Sequence, residues 1–271
     1  MPDLSSLRLL SDGGRTAAVY LWDEQTVLKL AREPGWEPVF EREAIALEAA
    51  AATPGLAPEL RGTITIEGRP GLLMERLHGI DLLKELEKKP WRTWHVGREL
   101  ADVHARLHET AAASEMDRAR DGIAFRLRSE LVPENIRNRA LTLLAEAPEG
   151  DRLCHGDFHP GNLMRTTDGF LRVVDFAPAC AGDPDWDYAS TLTLLQVGQP
   201  VGASLWMRGL IRLFRGILVR SYRRRYERLR RVDRANVQRW TAIYLAQRLA
   251  DGIPEERERL LRMLEKRTAS G

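Results

Sequence analysis

The stretch from Leu153 to Asp175 constrains this chain more than any other, and it reads LCHGDFHPGNLMRTTDGFLRVVD. A polar loop that contains Asp157 and Asn162 is followed by a turn and by a short apolar strand that ends in Asp175. Carboxylate and amide oxygens are ligands that Mg²⁺ prefers, and proteins supply only one or two of them beside a phosphate. The pattern therefore predicts a divalent-ion site between loop and strand, with one further aspartate available to accept a proton.

A family resemblance is carried by three motifs in order, namely HGDFHPGN at 155–162, VVDF at 173–176 and GDPDWDYA at 182–189. Together they resemble the aminoglycoside phosphotransferase and choline kinase-like family of small-molecule kinases. The spacing D-x-x-x-x-N, followed by an aspartate on a strand, is that of the phosphoryl-transfer template. The resemblance implies that Asp157 is the catalytic residue, that Asn162 and Asp175 bind Mg²⁺, and that ATP or GTP is the phosphoryl donor.

The resemblance also implies an α+β, bilobal, protein-kinase-like fold. Its small N-terminal lobe, with an antiparallel sheet, is expected at residues 1–77 and would bind the nucleotide. The larger, mainly helical C-terminal lobe is expected at 78–271 and would hold the catalytic loop and the acceptor. A length of 271 residues suits one large domain or two lobes, and a hydrophobic content of 44% is enough for a sizeable core.

Lys29 is a charged residue in the middle of the apolar strand Thr26 to Ala31. Taken alone, such a lysine is usually an edge residue turned towards solvent. The resemblance instead assigns it to the nucleotide phosphates, oriented by a glutamate of the next helix, Val39 to Ala52. Helical periodicity does not choose between Glu43 and Glu48, which flank the apolar stripe of that helix, whereas the resemblance chooses Glu43.

Two more segments are candidates for nucleotide binding. Gly13 and Gly14 lie in a loop whose backbone N–H groups could approach phosphates, although a Gly-Gly pair is more often a simple turn. Glu75 and Leu77 lie where the resemblance places the adenine-binding connector between the lobes. An ordinary strand-to-helix loop would have the same sequence.

Periodicity and turn residues predict the other elements. Strands are expected at Ala17 to Trp22, Gly62 to Ile66 and Leu72 to Leu77, and helices at Leu82 to Lys89, Trp94 to Glu109, Phe125 to Ala145, Trp240 to Leu249 and Pro254 to Lys266. Within Phe125 to Ala145, Pro133 is expected near a helix start or a break. His104 and His108 lie four residues apart, but the sequence suggests no third zinc ligand, so a packed or surface pair is expected. By resemblance, Asp187 supports the backbone of the catalytic loop.

Composition excludes several classes of protein. The 41 basic and 39 acidic residues leave a net charge of +2, which selects no partner. The two cysteines lack C-x-x-C spacing, so a reducing, cytoplasmic location is expected. A signal peptide is not expected, because the N-terminus lacks a basic region followed by an apolar core. A membrane span is not expected either, because the longest uncharged run, Tyr188 to Met207, is interrupted by Gly198-Gln199-Pro200.

The arginine-rich region 208–239 is interpreted first as a solvated helix face and only second as a nucleic-acid surface, because it contains few interleaved aromatic residues. The short connection from Asp175 to Asp187 leaves little room for a peptide platform, which argues against a protein kinase. A nucleotide-binding scaffold or sensor is the other alternative.

The expected partner is a small hydroxylated acceptor. Polycationic aminoglycosides favour acidic pockets, to which only Asp183 and Asp185, expected near the mouth of the cleft, would contribute. The acceptor, the choice of ATP or GTP and the oligomeric state stay open.

Overall fold

The computed structural model describes residues 7–12, 16–197 and 205–268. Its N-terminal part is an antiparallel sheet with the order β1-β2-β3-β5-β4, formed by β1 (Arg8–Ser11), β2 (Ala17–Leu21), β3 (Thr26–Ala31), β4 (Leu60–Ile66) and β5 (Arg69–Glu75). Helix α1 (Glu37–Ala50) packs on β4 and β5 and buries Phe40 and Leu47. Pro38 lies in its first turn, where the missing N–H costs nothing.

The turn between β4 and β5 is tighter than the sequence predicts. The expected turn spans 67–71, but only Glu67 and Gly68 form it, with φ of 52° and 74°. Two positive φ values in a two-residue loop match the right-handed twist of a hairpin. Pro70 consequently lies inside β5 and pairs with Thr65. The register with β3 ends at Gly71, so Pro70 needs no N–H on that side.

The C-terminal part is mainly helical. Its elements are β6 (Gly79–Asp81), α2 (Leu82–Lys88), α3 (Thr93–Leu107), α4 (Ala119–Leu127), α5 (Glu134–Glu146), β7 (Arg152–Cys154), β8 (Leu163–Thr166), β9 (Leu171–Val173), β10 (Cys180–Gly182), α6 (Pro184–Val197), α7 (Leu205–Leu229), α8 (Arg234–Arg248) and α9 (Pro254–Thr268). Strands β6-β8-β9 form one small antiparallel sheet and β10-β7 another. The α+β, bilobal kinase-like fold predicted from the sequence is confirmed.

The helical segment predicted at Phe125 to Ala145 forms two helices, and they are divided at the break predicted near Pro133. The chain forms α4, which begins at Ala119, earlier than predicted, and then α5 directly after Pro133. Proline lacks an N–H and disfavours helical backbone at the residue before it. Arg137 holds the break together by donating to the carbonyl oxygens of Leu127 and Val132 at 3.1 and 3.0 Å.

The two parts share one hydrophobic core. Leu47 and Leu72 from the N-terminal sheet layer belong to the same buried cluster as Phe158 and Tyr188 from the helical part. A lobe boundary between residues 77 and 78 stays a prediction, since β5 ends at Glu75 and β6 pairs with β8. Within the described ranges, no helix has both the length and the apolar content that crossing a membrane requires.

Candidate active site

The loop that connects β7 to β8 carries Asp157 and Asn162, and its backbone depends on one glycine. Gly156 has φ of 78°, and a Cβ atom at this position would lie 2.6 Å from the carbonyl oxygen of Pro178. Both the left-handed backbone and the close approach require a residue without a side chain. This explains why glycine stands where the protein-kinase H-R-D motif has arginine.

Asp187, at the start of α6, holds this loop from behind. Its carboxylate is fully buried and accepts hydrogen bonds from the backbone N–H groups of His155 at 2.5 Å and Gly156 at 3.0 Å. Burial by itself would raise the pKa of Asp187, but the hydrogen bonds from His104 and His108 hold it well below its usual range. An ionised carboxylate therefore fixes the loop at two consecutive amides.

The histidine pair on α3 contacts the other side of Asp187. Nε2 of His104 and Nε2 of His108 each lie 3.2 Å from Asp187 Oδ2, and both rings are completely buried. On the opposite side of each ring, Nδ1 contacts the hydroxyl of Tyr222 at 2.7 Å or of Tyr226 at 2.6 Å. These contacts agree with one another when each tyrosine donates to Nδ1 and each Nε2–H donates to the carboxylate.

The expectation that the histidine pair lacks a third metal-ligand type is wrong, because the fold brings Asp187 to it. All four ring nitrogens nevertheless have hydrogen-bond partners, so the cluster is a closed network and not a metal site. Burial, first of all, lowers the pKa of His104 to about 3 and lowers that of His108, so both rings are neutral. The prediction of a packed pair agrees with this geometry.

Asp157 itself is only partly enclosed, with 42% of its side chain exposed. Nε2 of His159 lies 3.6 Å from its Oδ2, while Nδ1 of the same ring accepts a hydrogen bond from Gly161 N–H at 3.0 Å. That bond makes Nε2 the protonated nitrogen of a neutral ring, directed at the carboxylate. Burial raises the pKa of Asp157, but His159, followed by His155, outweighs it and leaves the pKa below its ordinary value.

Asn162 and Asp175 are adjacent, as the metal prediction requires. The side-chain N–H of Asn162 donates to the Asp157 carbonyl oxygen at 2.9 Å, which commits the amide nitrogen and leaves the side-chain oxygen to accept. The Asn162 backbone carbonyl accepts from Val174 N–H at 2.9 Å, next to Asp175. Asp175 has φ of 62°, a strained value for a residue with a side chain and one often found at functional sites. An amide oxygen and a carboxylate fit Mg²⁺.

Lys29 contacts two carboxylates. Its Nζ donates to Glu43 Oε1 and Oε2 at 2.7 and 2.8 Å and to Asp175 Oδ1 at 2.8 Å. Burial lowers the pKa of Lys29, but the two carboxylates outweigh it and raise the pKa, so the ammonium stays charged. Burial raises the pKa of Glu43, and Lys29 opposes that change. Because Lys29 donates three hydrogen bonds, we take Lys29 and Glu43 as an ionised pair. Glu48, the other candidate on α1, is exposed.

The sequence also predicted nucleotide binding by Gly13, Gly14, Glu75 and Leu77. Gly13 and Gly14 lie outside the described residues. The N–H of Glu75 donates to the Glu59 carbonyl oxygen at 2.8 Å, so it is not a donor for adenine. Leu77 lies in the connector between β5 and β6, where the two parts of the chain meet. Adenine binding by this connector stays a prediction.

A cavity of about 1050 Å³ opens beside Asp157. Its wall is largely apolar and includes Leu83, Leu195, Phe214 and Leu218. Asp183 and Asp185, expected near the mouth of the cleft, do not line this cavity.

The two aspartates instead hold helix α8. Asp183 Oδ2 accepts from Trp240 Nε1 and from Asn236 Nδ2, both at 2.8 Å, and Asp185 accepts from Asn236 at 3.1 Å. These contacts could not be read from the sequence, because α8 begins about fifty residues further along the chain.

Comparisons with known proteins identify the family and the fold of this chain. The model of the family described as "Phosphotransferase enzyme family" matches residues 6–232. No curated protein matches the chain in sequence. Solved structures do match, at identities that bear on the fold alone.

One similar structure is an aminoglycoside phosphotransferase in a ternary complex with AMP-PNP and hygromycin B, with 17% identity, coverage of 98% of this chain and 94% of that one, and a TM-score of 0.64. A putative fructosamine-3-kinase from Haemophilus somnus has 14% identity, coverage of 97% and 90%, and a TM-score of 0.62. The choline kinase LicA from Streptococcus pneumoniae has 14% identity, coverage of 98% and 94%, and a TM-score of 0.60.

Proposed function

The chain belongs to the phosphotransferase enzyme family, and from this premise we propose that it transfers the γ-phosphoryl group of ATP or GTP to a hydroxyl of a small molecule. One observation carries the proposal. Lys29 joins Glu43 to Asp175 on one side of the catalytic loop, while Asp157 on the same loop faces a large cavity. The site thus has a charged side suited to phosphates and an open side suited to an acceptor. A similar structure contains AMP-PNP, which supports a nucleotide donor.

In the proposed reaction, the acceptor oxygen forms a bond to the γ-phosphorus as the bond between that phosphorus and the β–γ bridging oxygen breaks. The electron pair of the broken bond stays on the nucleoside diphosphate, and the hydroxyl proton passes to Asp157. The products are a phosphate monoester and ADP or GDP. Because the pKa of Asp157 lies below its ordinary value, this carboxylate is a weak base that orients the hydroxyl and receives its proton late.

The other residues position the nucleotide. Lys29, held by Glu43, would bind phosphate oxygens as a fixed positive charge. Asn162 and Asp175 would hold Mg²⁺, which neutralises charge on the phosphates when it is bound. His159 would keep Asp157 ionised and correctly oriented. We assign the nucleotide to residues 1–77 and the catalytic loop and acceptor to residues 78–271.

The cellular setting follows from the same proposal. A nucleoside triphosphate as donor and two free, buried cysteines, Cys154 and Cys180, support a reducing cytoplasm.

A transfer assay tests the function. The full-length protein, with Mg²⁺ and either ATP or GTP, is offered a panel of amino sugars, sugars, amino alcohols and macrolides, and phosphorylated product is detected by mass spectrometry. We expect transfer to at least one class of acceptor, and its loss in Asp157→Asn. Tight nucleotide binding with no transfer to any acceptor, and none to the protein itself, would support the scaffold alternative.

A further inference from the structure

A second cavity, of about 570 Å³, lies where the end of α6 meets α7 and α9. Six arginines line it: Arg212, Arg215, Arg220, Arg223, Arg224 and Arg259. The rest of its described lining is Gln196, Gly216 and Val219, so none of the described residues that line it is acidic. Arg215 also lines the cavity beside Asp157, so its side chain belongs to the walls of both cavities.

A solvated arginine face explains only part of this cluster. Arg212, Arg220 and Arg224 are exposed, and Arg223 pairs with Glu227 at 2.8 Å, as surface arginines commonly do. Arg215 and Arg259 are different, because both are partly buried and neither forms an ion pair with any described side chain. Burial, and then the positive charge of Arg259, lower the pKa of Arg215. Two cations that repel each other in a partly desolvated place are stabilised by a shared anion.

Capping of helix α6 is the simplest structural explanation for the two arginines. Arg215 donates to the Gln196 carbonyl oxygen at 3.3 Å, and Arg259 donates to the Val197 carbonyl oxygen at 3.5 Å. Both distances are long, and each contact uses one of the five N–H donors of a guanidinium. Capping therefore leaves most donors of both side chains available.

The other arginines of the cavity beside Asp157 are neutralised. Arg126 pairs with Asp251, and Arg248 pairs with Asp251 at 3.0 Å and with Glu256 at 2.9 Å. Of the arginines that line this cavity, Arg215 is thus the one without a carboxylate partner among the described side chains. Around it the wall is apolar, formed in part by Leu195, Phe214 and Leu218.

We propose that Arg215 and Arg259 bind an anionic group of the acceptor, whose hydroxyl reaches Asp157 in the adjoining cavity, which shares Arg215. The acceptor class is then a hydroxylated small molecule with an apolar or neutral body and a phosphate or carboxylate group. This inference rests on the proposed function.

The first experiment measures anion binding without catalysis. Inorganic phosphate is titrated by calorimetry into full-length protein saturated with ADP and Mg²⁺, so that the nucleotide site is filled. We expect the double variant Arg215→Gln/Arg259→Gln to bind phosphate at least about tenfold more weakly, since two charge-assisted hydrogen bonds are lost. The control is Arg228→Gln, which removes an exposed arginine of the same helix outside both cavities and should bind like the unaltered protein.

Equal phosphate affinity in the unaltered protein and in the double variant would overturn the anion site. Thermal unfolding checks that the variants fold. If the double variant does not fold, Arg259→Gln alone decides the matter, because its side chain lies outside the cavity beside Asp157. A weaker but measurable loss of affinity is expected for that variant.

The second experiment separates this inference from the proposed function. Matched acceptors with and without an anionic group, such as a sugar and its phosphate or an amino alcohol and the corresponding hydroxy acid, are compared by kcat/KM. We expect the anionic member to be preferred by about tenfold or more. In Arg259→Gln that preference should be reduced through a raised KM for the anionic member, whereas the control Arg228→Gln should retain it.

Transfer with no preference for the anionic member would overturn the inference and leave the proposed function intact. If no acceptor of either kind is phosphorylated, the proposed function and the assignment of an anionic acceptor both fail. In that case the phosphate titration still decides whether the two arginines form an anion site.

Discussion

The catalytic loop lies between two kinds of carboxylate. On one side, Asp187 is completely buried and accepts four hydrogen bonds, from two histidine rings and two backbone amides. On the other side, Asp157 and Asp175 have 42% and 51% of their side chains exposed and only part of their hydrogen-bonding capacity in use. The same functional group thus serves as an internal support in one place and remains open to a ligand in the other.

The difference has a physical cause. A buried charge is tolerated only when surrounding donors replace the water it has lost, so Asp187 must be fully bonded before the loop can form. A carboxylate that binds metal or accepts a proton must instead keep oxygen lone pairs available. The strained backbone of Asp175 fits this contrast, because the fold tolerates strain there that the buried side does not show. Four changes would break or sharpen the comparison.

The largest expected effect is on catalysis, through the partly exposed carboxylate of Asp157. Asp157→Asn removes the proton acceptor and should lower kcat by about 10³-fold, within the range for a lost general base. Nucleotide affinity, measured by calorimetry, and the midpoint of thermal unfolding should change little, because the side chain is partly exposed. A kcat within tenfold of the original would show that Asp157 is not the acceptor of the proton.

The next largest effect is on stability and comes from the buried carboxylate of Asp187. Asp187→Ala leaves two histidines and two amides without their shared acceptor and should lower the free energy of unfolding by about 3–5 kcal/mol. Urea denaturation measures it, with the exposed Asp121→Ala as the control, which should unfold like the original. If Asp187→Ala were as stable as the control, the closed network would have no supporting role.

A smaller effect, on the affinity for nucleotide, is expected from Lys29, the residue of β3 that forms an ion pair with Asp175. Lys29→Met removes a charge-assisted contact to phosphate and should weaken Mg²⁺-nucleotide binding by about 10- to 100-fold. Lys84→Met, which removes an exposed lysine at the start of α2, is the control and should leave the affinity unchanged. Equal affinities for the two variants would return Lys29 to the role of an ordinary strand lysine.

The smallest effect concerns the pH dependence of the buried network. The pKa of His104 is lowered to about 3 in the folded protein, so below pH 6.5 the unfolded chain binds a proton that the folded one does not. The free energy of unfolding should therefore fall as the pH falls from 6.5 to 5, by about 1.4 kcal/mol per pH unit for each such histidine. Asp187 does not contribute in this window, since its pKa lies well below its ordinary value, which is itself below pH 5.

Urea denaturation at pH 7, 6 and 5 measures this slope. In His104→Gln, which keeps a polar side chain but removes the titrating ring, the slope should be reduced by the share of one histidine. A slope that is the same in both proteins would mean that His104 does not stay neutral in the fold.

Local sequence carried much of the prediction. The catalytic loop could be recognised because Asp157 and Asn162 are five residues apart and Asp175 ends the next strand but one, so short-range spacing alone brings them near each other. The helix and strand boundaries moved by only a few residues where periodicity was clear. They failed where a two-residue turn decided the matter, as at Glu67-Gly68, whereas the break near Pro133 could be read from the proline itself.

What the sequence by itself determined is therefore the chemistry of the loop and the class of the fold. Only the tertiary structure decided which distant side chains meet it. Periodicity left Glu43 and Glu48 equivalent until β3 placed Lys29 against one of them, and it gave no hint that two tyrosines of α7 would face two histidines of α3, 118 residues earlier. The physical reason is that helical periodicity shows which face of a helix is buried but not which distant element covers that face. The packing partner is decided by burial over the whole molecule.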